Sequence, residues 1–256
     1  MNNLLKDKTI IVAGAAGLLG CRLVAGILAQ GGKVIAADIN IETMKERLNN
    51  LSVDLTNTRL QLKAFDITNS DSVKQFLAEF SDIDGAVNAT YPRNKTYGAH
   101  FFDVTLESFN ENLSLHLGSA FLFTQQCAAY FNLHKTPFSL VNISSIYGVV
   151  APKFDIYDNT PMTMPVEYAA IKSALLHLNK YAAAYINDSR FRINCVSPGG
   201  LFDHQPDAFL EAYKKNTHGA GMLDVEEMVG SVLYLLSEQS KYVTGQNIVV
   251  DDGFSL

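Results

Sequence analysis

Tyr168 and Lys172 lie four residues apart in "VEYAAIKSALLHLNKYAAAYI". The stretch is rich in Ala and Leu and holds no Gly or Pro, so it predicts a helix. Residues four apart on a helix share one face. A phenol and an ammonium placed together in this way are a candidate catalytic pair. The plainer reading is an amphipathic helix that happens to carry both. A second Tyr-x-x-x-Lys, Tyr91 to Lys95, has Pro92 inside it and no helical pattern around it, so its side chains need not meet. The spacing alone does not decide, and the surrounding motifs must.

The most informative of these is "TIIVAGAAGLLGCRLVAGILAQGGKVIAADIN". A strand pattern runs into Gly14, Gly17 and Gly20, a helix follows with Leu19, Leu23 and Ile27 on one stripe, and a second strand ends in Asp38. Small residues let the backbone approach a pyrophosphate, and a helix N-terminus offers free N–H groups and partial positive charge. An acid at the end of the second strand accepts hydrogen bonds from a ribose and repels a 2′-phosphate. Neither Ile39 and Asn40 nor Ala15 and Ala16 are basic. The order strand, glycines, helix, strand, acid predicts a dinucleotide site that takes NAD rather than NADP.

The elements that must carry these residues alternate. Candidate strands are "TIIVAG", "KVIAAD", "LQLKAF", "GAVNAT", "SLVNIS", "RINCVS" and "NIVVDD". Candidate helices run Leu18 to Gln30, Ile41 to Leu51, Ser70 to Phe80, Leu106 to Leu133, Val166 to Asn187 and Val225 to Ser237. Asp224 and Glu227 form a capping box for the last. Strands alternating with helices predict an α/β fold: one doubly wound Rossmann domain over residues 1–256, with a seven-stranded, mostly parallel sheet and helices on both faces. Residues 1–150 form mainly the cofactor half. No repeat or linker interrupts the series. The net charge of −6 argues against a nucleic-acid partner. No apolar run reaches membrane-spanning length, and the opening "MNNLLKDKTIIVAGAAG" has no long apolar core, which predicts no signal peptide. Cys21, Cys127 and Cys195 are scattered without metal spacing, as expected of reduced thiols in a cytoplasmic protein.

Together the motifs resemble the short-chain dehydrogenase/reductase family over nearly the whole chain. "NISSIYG" resembles its active-site serine strand, with Ser145 at the S-x-x-G position and Gly148 three residues on. Tyr168 and Lys172 match its Y-x-x-x-K. "RINCVSPGG" is similar to the segment bordering the nicotinamide, here Asn194, Pro198, Gly199, Gly200 and Leu201. "FDITNSDSV" resembles the strand end whose Asp contacts adenine, here Asp66 with Ile67. The resemblance implies cofactor contacts from Gly14, Gly17, Leu18, Leu19, Gly20, Asp38, Ile39, Asp66, Ile67, Asn88, Tyr168, Lys172 and the Pro198–Leu201 segment. It also implies hydride transfer between nicotinamide and a carbinol or carbonyl carbon. Tyr168 is then the general acid/base, its pKa lowered from near 10 by the Lys172 ammonium. Ser145 bonds the substrate oxygen, and Ser144 caps backbone.

Four departures qualify the likeness. The family's "NNAG" reads "NATY" here, Asn88 to Tyr91. The Asn of its "N-L-x-G-x-F" is replaced by His116 in "HLGSAF". His116 is therefore a candidate for the proton relay, with Asn112 one turn earlier as a second. The G-x-x-G-x-x-G spacing is closer to the extended branch that works on nucleotide sugars. The interval from Ser145 to Tyr168 is 23 residues (168 − 145), longer than in most classical members. Residues Pro152 to Pro165 form the insertion, and Pro152, Pro161 and Pro165 keep it from being helix. Its Asp155, Tyr157, Asp158, Asn159 and Thr160 suit a polyhydroxylated substrate. The opposite wall is a lid over 201–222, with His204, Lys214, Lys215 and His218 as possible anion contacts.

The expected function is an NAD-dependent oxidoreductase acting on a secondary alcohol or ketone, of a sugar or sugar derivative. The wording of "IYDNTPMTMPVEYAAIKSAL" and "SPGGLFDHQP" is similar to dehydrogenases of bacterial surface-sugar and flagellin-modification pathways. Two alternatives remain open: a nucleotide-sugar epimerase or dehydratase with retained NAD, and a non-catalytic NAD-binding regulator. The partners expected are a small-molecule substrate and further copies of the chain, as a homodimer or homotetramer through the Ala182–Ala184 faces of the long helices. Neither a metal, a nucleic acid nor a membrane is expected.

Overall fold

A computed structural model describes residues 3–256. The strands form because their residues are apolar on both sides. Thr9–Ala13 (β1) and Phe191–Pro198 (β6) are buried at every position, the continuous pattern of a sheet covered on both faces. Between and around them run Leu18–Ala29 (α1), Lys33–Asp38 (β2), Ile41–Asn50 (α2), Leu60–Ala64 (β3), Ser70–Ala78 (α3) and Gly85–Asn88 (β4). Leu106–Asn112 (α4), Ser119–His134 (α5), Phe138–Ile143 (β5) and Val166–Ile186 (α6) follow. Asp207–Lys214 (α7), Val229–Leu236 (α8) and Asn247–Val250 (β7) complete the chain.

The seven strands lie in the order β3-β2-β1-β4-β5-β6-β7. Every pairing is parallel, so the sheet is wholly rather than mostly parallel. The order reverses between β1 and β4, and in such sheets the crevice at the strands' carboxyl ends beside that reversal takes the ligand. One core lies under α1 and α8, with Leu23, Ile27, Val232 and Leu236 against Ile10 and Val12. The other lies under α3 and α5, with Phe76, Phe123 and Phe131 against Ile11 and Leu140.

Three expectations change. The helix expected from Leu106 to Leu133 is interrupted: a π-helical turn over Leu113–Gly118 joins α4 to α5. A single-residue widening of this kind often marks a functional site. The helix expected from Val225 begins as a 3-10 turn, Val225–Met228, and carries the Asp224–Glu227 capping box. Of the Ala182–Ala184 face, Ala182 and Ala183 pack in part against their own core and Ala184 is exposed. The outer face of α6 also shows Tyr181 and Tyr185, which stack with ring centroids 6.0 Å apart.

Candidate active site

The cofactor half is built by β1, α1 and β2. Gly14 leaves β1 with φ of +84°, and a side chain there would strike the Ala89 carbonyl at 2.8 Å. A Cβ on Gly20 would lie 2.0 Å from the Gly14 oxygen, so α1 packs against the loop only because both are glycine. Gly17 caps α1 with no side-chain partner, and the first turn holds no acid. The first-turn N–H groups, at Leu18 and Leu19, therefore face the crevice without an internal anion. Asp38 is half-buried at the end of β2, accepting from the Ala16 N–H at 2.9 Å and the Asn40 N–H at 3.0 Å. Beside it the Ile39 side chain is 72% exposed. A cradle with no room for Cβ atoms, uncapped amides and a carboxylate at its far edge fits a dinucleotide. Asp66 turns back on Thr68, whose N–H and hydroxyl it accepts at 2.9 and 2.7 Å, while Ile67 is buried. The buried Asn88 likewise accepts from the Thr90 hydroxyl at 2.7 Å.

The catalytic candidates converge at the ends of β5 and β6. Ser145, Tyr168, Pro198, Gly199, Gly200 and Leu201 line one cavity of about 330 Å³. Ser145 follows β5, accepts the Tyr147 N–H at 3.2 Å and lines the cavity beside Tyr168. Ser144 turns away and donates to the Lys172 carbonyl at 2.9 Å, the backbone role expected of it. Asn194 is absorbed by the scaffold, donating to Val243 O at 2.8 Å and accepting from Gln246 N at 2.9 Å.

Tyr168 and Lys172 do meet, with the Lys172 nitrogen 5.4 Å from the Tyr168 ring centroid. The electrostatic expectation is reversed. Burial pushes the Tyr168 hydroxyl above its ordinary value, and the Ser145 side chain opposes this only in part. The residue is half-buried, with its ring bordering the cavity. Lys172 aims at backbone instead of at the phenol, donating to Ile143 O at 2.8 Å. Burial pushes its own pKa down to about 8.

The two relay candidates separate. His116, on the π turn, lies with Nε2 3.4 Å from Lys172 Nζ. Burial, then the Lys172 charge, lowers its pKa well below the usual imidazole range and keeps it neutral. Asn112 hydrogen-bonds neither Tyr168 nor Lys172. Its amide is consumed by Ser108 O at 3.0 Å, Asn94 Oδ1 at 3.1 Å and Glu167 Oε1 at 3.3 Å. It ties the 91–97 loop to α6.

The walls also differ from expectation. The insertion contains a short 3-10 turn, Phe154–Tyr157, and gives the cavity Tyr157, Met162, Thr163 and Met164. Asp155, Asp158 and Asn159 face solvent, because Ile156 and Tyr157 take the inward positions. On the opposite wall Gln205, Phe209, Tyr213 and Met222 face inward, whereas His204, Lys214, Lys215 and His218 are exposed. The cavity is thus more aromatic and apolar than the polar wording of both segments implies. Sequence reasoning missed Tyr91 and Tyr97, which line it too. Their signal was the "NATY" departure, where a ring replaces a glycine.

Residues 14–255 match the protein family described as Enoyl-(Acyl carrier protein) reductase. The chain is 38% identical to the post-translational flagellin modification protein A of Campylobacter coli, over 99% of this chain and 100% of that one. It is 29% identical to a 2,5-dichloro-2,5-cyclohexadiene-1,4-diol dehydrogenase of Sphingobium indicum, over 98% of each chain. Among solved structures, a short chain dehydrogenase of Leptospira borgpetersenii with bound NAD+ superposes with a TM-score of 0.87 at 30% identity. That match covers 99% of this chain and 95% of that one. Among the described residues no helix is long and apolar enough to cross a membrane.

Proposed function

The chain belongs to the short-chain dehydrogenase/reductase family of NAD(P)-dependent oxidoreductases, and within it we propose an NAD-dependent enzyme for a secondary alcohol or ketone of a ring compound, a sugar or sugar derivative. The observation that carries this reading is the convergence of Ser145, Tyr168 and Lys172 below one cavity, beside a glycine cradle that ends in Asp38. When bound, nicotinamide supplies or accepts the hydride. The chain's own residues handle the oxygen and its proton. Ser145 and Tyr168 hold the substrate oxygen from one side, and the Tyr168 hydroxyl exchanges the proton with it. A phenol kept protonated by burial is the proton donor when the reaction runs in the carbonyl-reducing direction. Lys172 and His116 lie behind it as the route along which the proton is replaced.

The preference for NAD rests on Asp38. Its carboxylate is held by two backbone N–H groups, and no basic residue flanks it in sequence. It accepts ribose hydroxyls and repels a 2′-phosphate. The exposed Ile39 offers an apolar surface to adenine. The ring-compound reading draws on the diol named for the Sphingobium relative, and the sugar reading on the flagellin modification named for the Campylobacter one. Segments 152–165 and 201–222 are read as the two walls of the substrate site. Buried, unpaired Cys21, Cys127 and Cys195 suit a cytoplasmic enzyme. The exposed Phe121, Tyr181 and Tyr185 on α5 and α6 suit a homo-oligomer.

The test is fluorescence titration of the purified protein with NADH and NADPH. NADH is expected to bind at least tenfold more tightly than NADPH, and Asp38→Ala to abolish the preference. Tyr168→Phe is expected to bind NADH normally and to lose turnover of any sugar alcohol or phosphate that the wild type oxidises with release of NADH. Equal affinity for the two nucleotides refutes the NAD assignment. Failure to bind either refutes the oxidoreductase.

A further inference from the structure

One wall of the cavity beside Tyr168 comes from a loop that the hydride-transfer machinery does not require. Tyr91 and Tyr97 hydrogen-bond each other through their hydroxyls, and both line the cavity that holds Ser145 and Tyr168. The Tyr91 ring meets the Tyr168 ring edge to face at 5.5 Å and the His116 ring at 5.2 Å. Its outer face carries the Arg93 guanidinium at 4.9 Å. The loop is pinned from behind, because Asn94 N–H donates to Asn112 Oδ1 at 3.0 Å and Asn112 in turn donates to Glu167. The two phenols are therefore held in place before any ligand arrives, which lowers the ordering cost of binding.

Two phenols carry two protons. One makes the bond between them, leaving one O–H and free lone pairs directed at nothing in the protein among the described residues. Burial raises both hydroxyls above their ordinary range, so they stay neutral and able to donate at physiological pH. The facing walls bring Met162, Met164, Phe209 and Met222 to the cavity, and their polar groups are Thr163, Gln205 and the phenols Tyr147, Tyr157 and Tyr213, of which Tyr147 and Tyr157 bond each other and Tyr213 accepts the Gly200 N–H.

We propose that the Tyr91–Tyr97 hydroxyl pair recognises a second oxygen on the carbon next to the reacting one, so that the preferred substrate is a vicinal diol or the matching α-hydroxyketone. Ser145 and Tyr168 take the reacting oxygen, and the tyrosine pair takes its neighbour. This inference rests on the oxidoreductase reading above and narrows it to a substrate class.

The test uses the full chain with NAD+ and compares cis- and trans-1,2-cyclohexanediol with cyclohexanol. One diol isomer is expected to exceed cyclohexanol in kcat/KM by about tenfold, the scale of one well-placed hydrogen bond. Tyr91→Phe and Tyr97→Phe should each reduce that ratio several-fold, mainly through KM. NADH affinity and thermal unfolding temperature report whether the variants remain folded and loaded. A wild type that binds NADH yet turns over neither diol, or turns over diols and cyclohexanol alike, overturns the inference alone. So does a ratio that survives both substitutions in folded protein. A wild type that binds no nicotinamide nucleotide overturns the oxidoreductase reading and this inference with it.

Discussion

Lys172 shows how the site trades stability for chemistry. The residue is 4% exposed, and among the described residues no carboxylate forms a salt bridge with its ammonium. Burial lowers its pKa from 10.5 to about 8. Below pH 8 the lysine is charged both folded and unfolded, and the folded chain bears the full desolvation cost, roughly 3 kcal/mol by linkage. Between pH 8 and 10.5 the unfolded chain holds the proton and the folded chain does not, so stability rises with pH and the cost fades. Lys172→Met removes the cation and also the donor to Ile143 O. The variant is expected to be inactive yet more stable than wild type by about 1–2 kcal/mol at pH 7. The advantage should shrink steadily above pH 8. Denaturant unfolding of both proteins across pH 6–10 measures it. An advantage that grows with pH, or wild type the more stable at pH 7, would show that Lys172 has a stabilising partner.

At the scale of elements, Ser145 is placed by how closely its turn approaches α6. A Cβ on Gly148 would lie 2.7 Å from the Lys172 carbonyl carbon and oxygen. Gly148→Ala must therefore push the Ile146–Gly148 turn away from α6, and Ser145 away from Tyr168. The expected cost is about 1–3 kcal/mol in stability and about a hundredfold in kcat/KM, since small misplacements of reacting groups cost that much. Nearly unchanged kcat/KM in the folded variant would detach Ser145 from the chemistry. The sequence made this element legible through its spacing: Ser145, Gly148, Tyr168 and Lys172 belong to motifs whose order survives any loop length. The capping box at Asp224 and the strands were legible for similar reasons, being local and apolar. The π turn at Leu113–Gly118 was not, because one extra residue in a helix changes no propensity and leaves the apolar stripe almost intact. Nor was α7. Phe209 and Tyr213 stand four apart after Pro206, a helical signal hidden by the charged residues around it. Composition does not orient the insertion: solvent satisfies Asp155, Asp158 and Asn159 as well as a substrate would, while Tyr157 faces the cavity.

At the scale of the whole molecule, the C-terminal segment after β7 clasps both walls of the cavity. Phe254 is fully buried and stacks on Tyr213 at 4.5 Å, and its carbonyl accepts from Lys153 of the insertion at 3.1 Å. Tyr213 in turn accepts the Gly200 N–H at 2.6 Å. Asp252 holds the end of the second wall. Its carboxylate accepts from the N–H groups of Gly219, Ala220 and Gly221 at 2.9, 2.7 and 3.3 Å, and its carbonyl from His218 N–H at 2.8 Å. None of this could be read from the usual-looking end "VVDDGFSL", because the partners lie more than thirty residues away in sequence. Because Gly219 and Ala220 are exposed, water replaces the carboxylate in Asp252→Ala, and global stability should fall by no more than about 1 kcal/mol. The 215–222 segment, however, loses what fixes it, and Met222 and Tyr213 lose their places in the wall. The variant is expected to show a KM for substrate raised about tenfold at saturating cofactor, with NADH affinity within twofold of wild type. Trypsin should cut faster after Lys214 and Lys215, since local opening controls cleavage there. Asp252→Asn keeps one acceptor oxygen and should fall between the two. Unchanged KM together with unchanged cleavage would mean that the second wall is held by Phe254 and Tyr213 alone, with Asp252 ordering only its own turn.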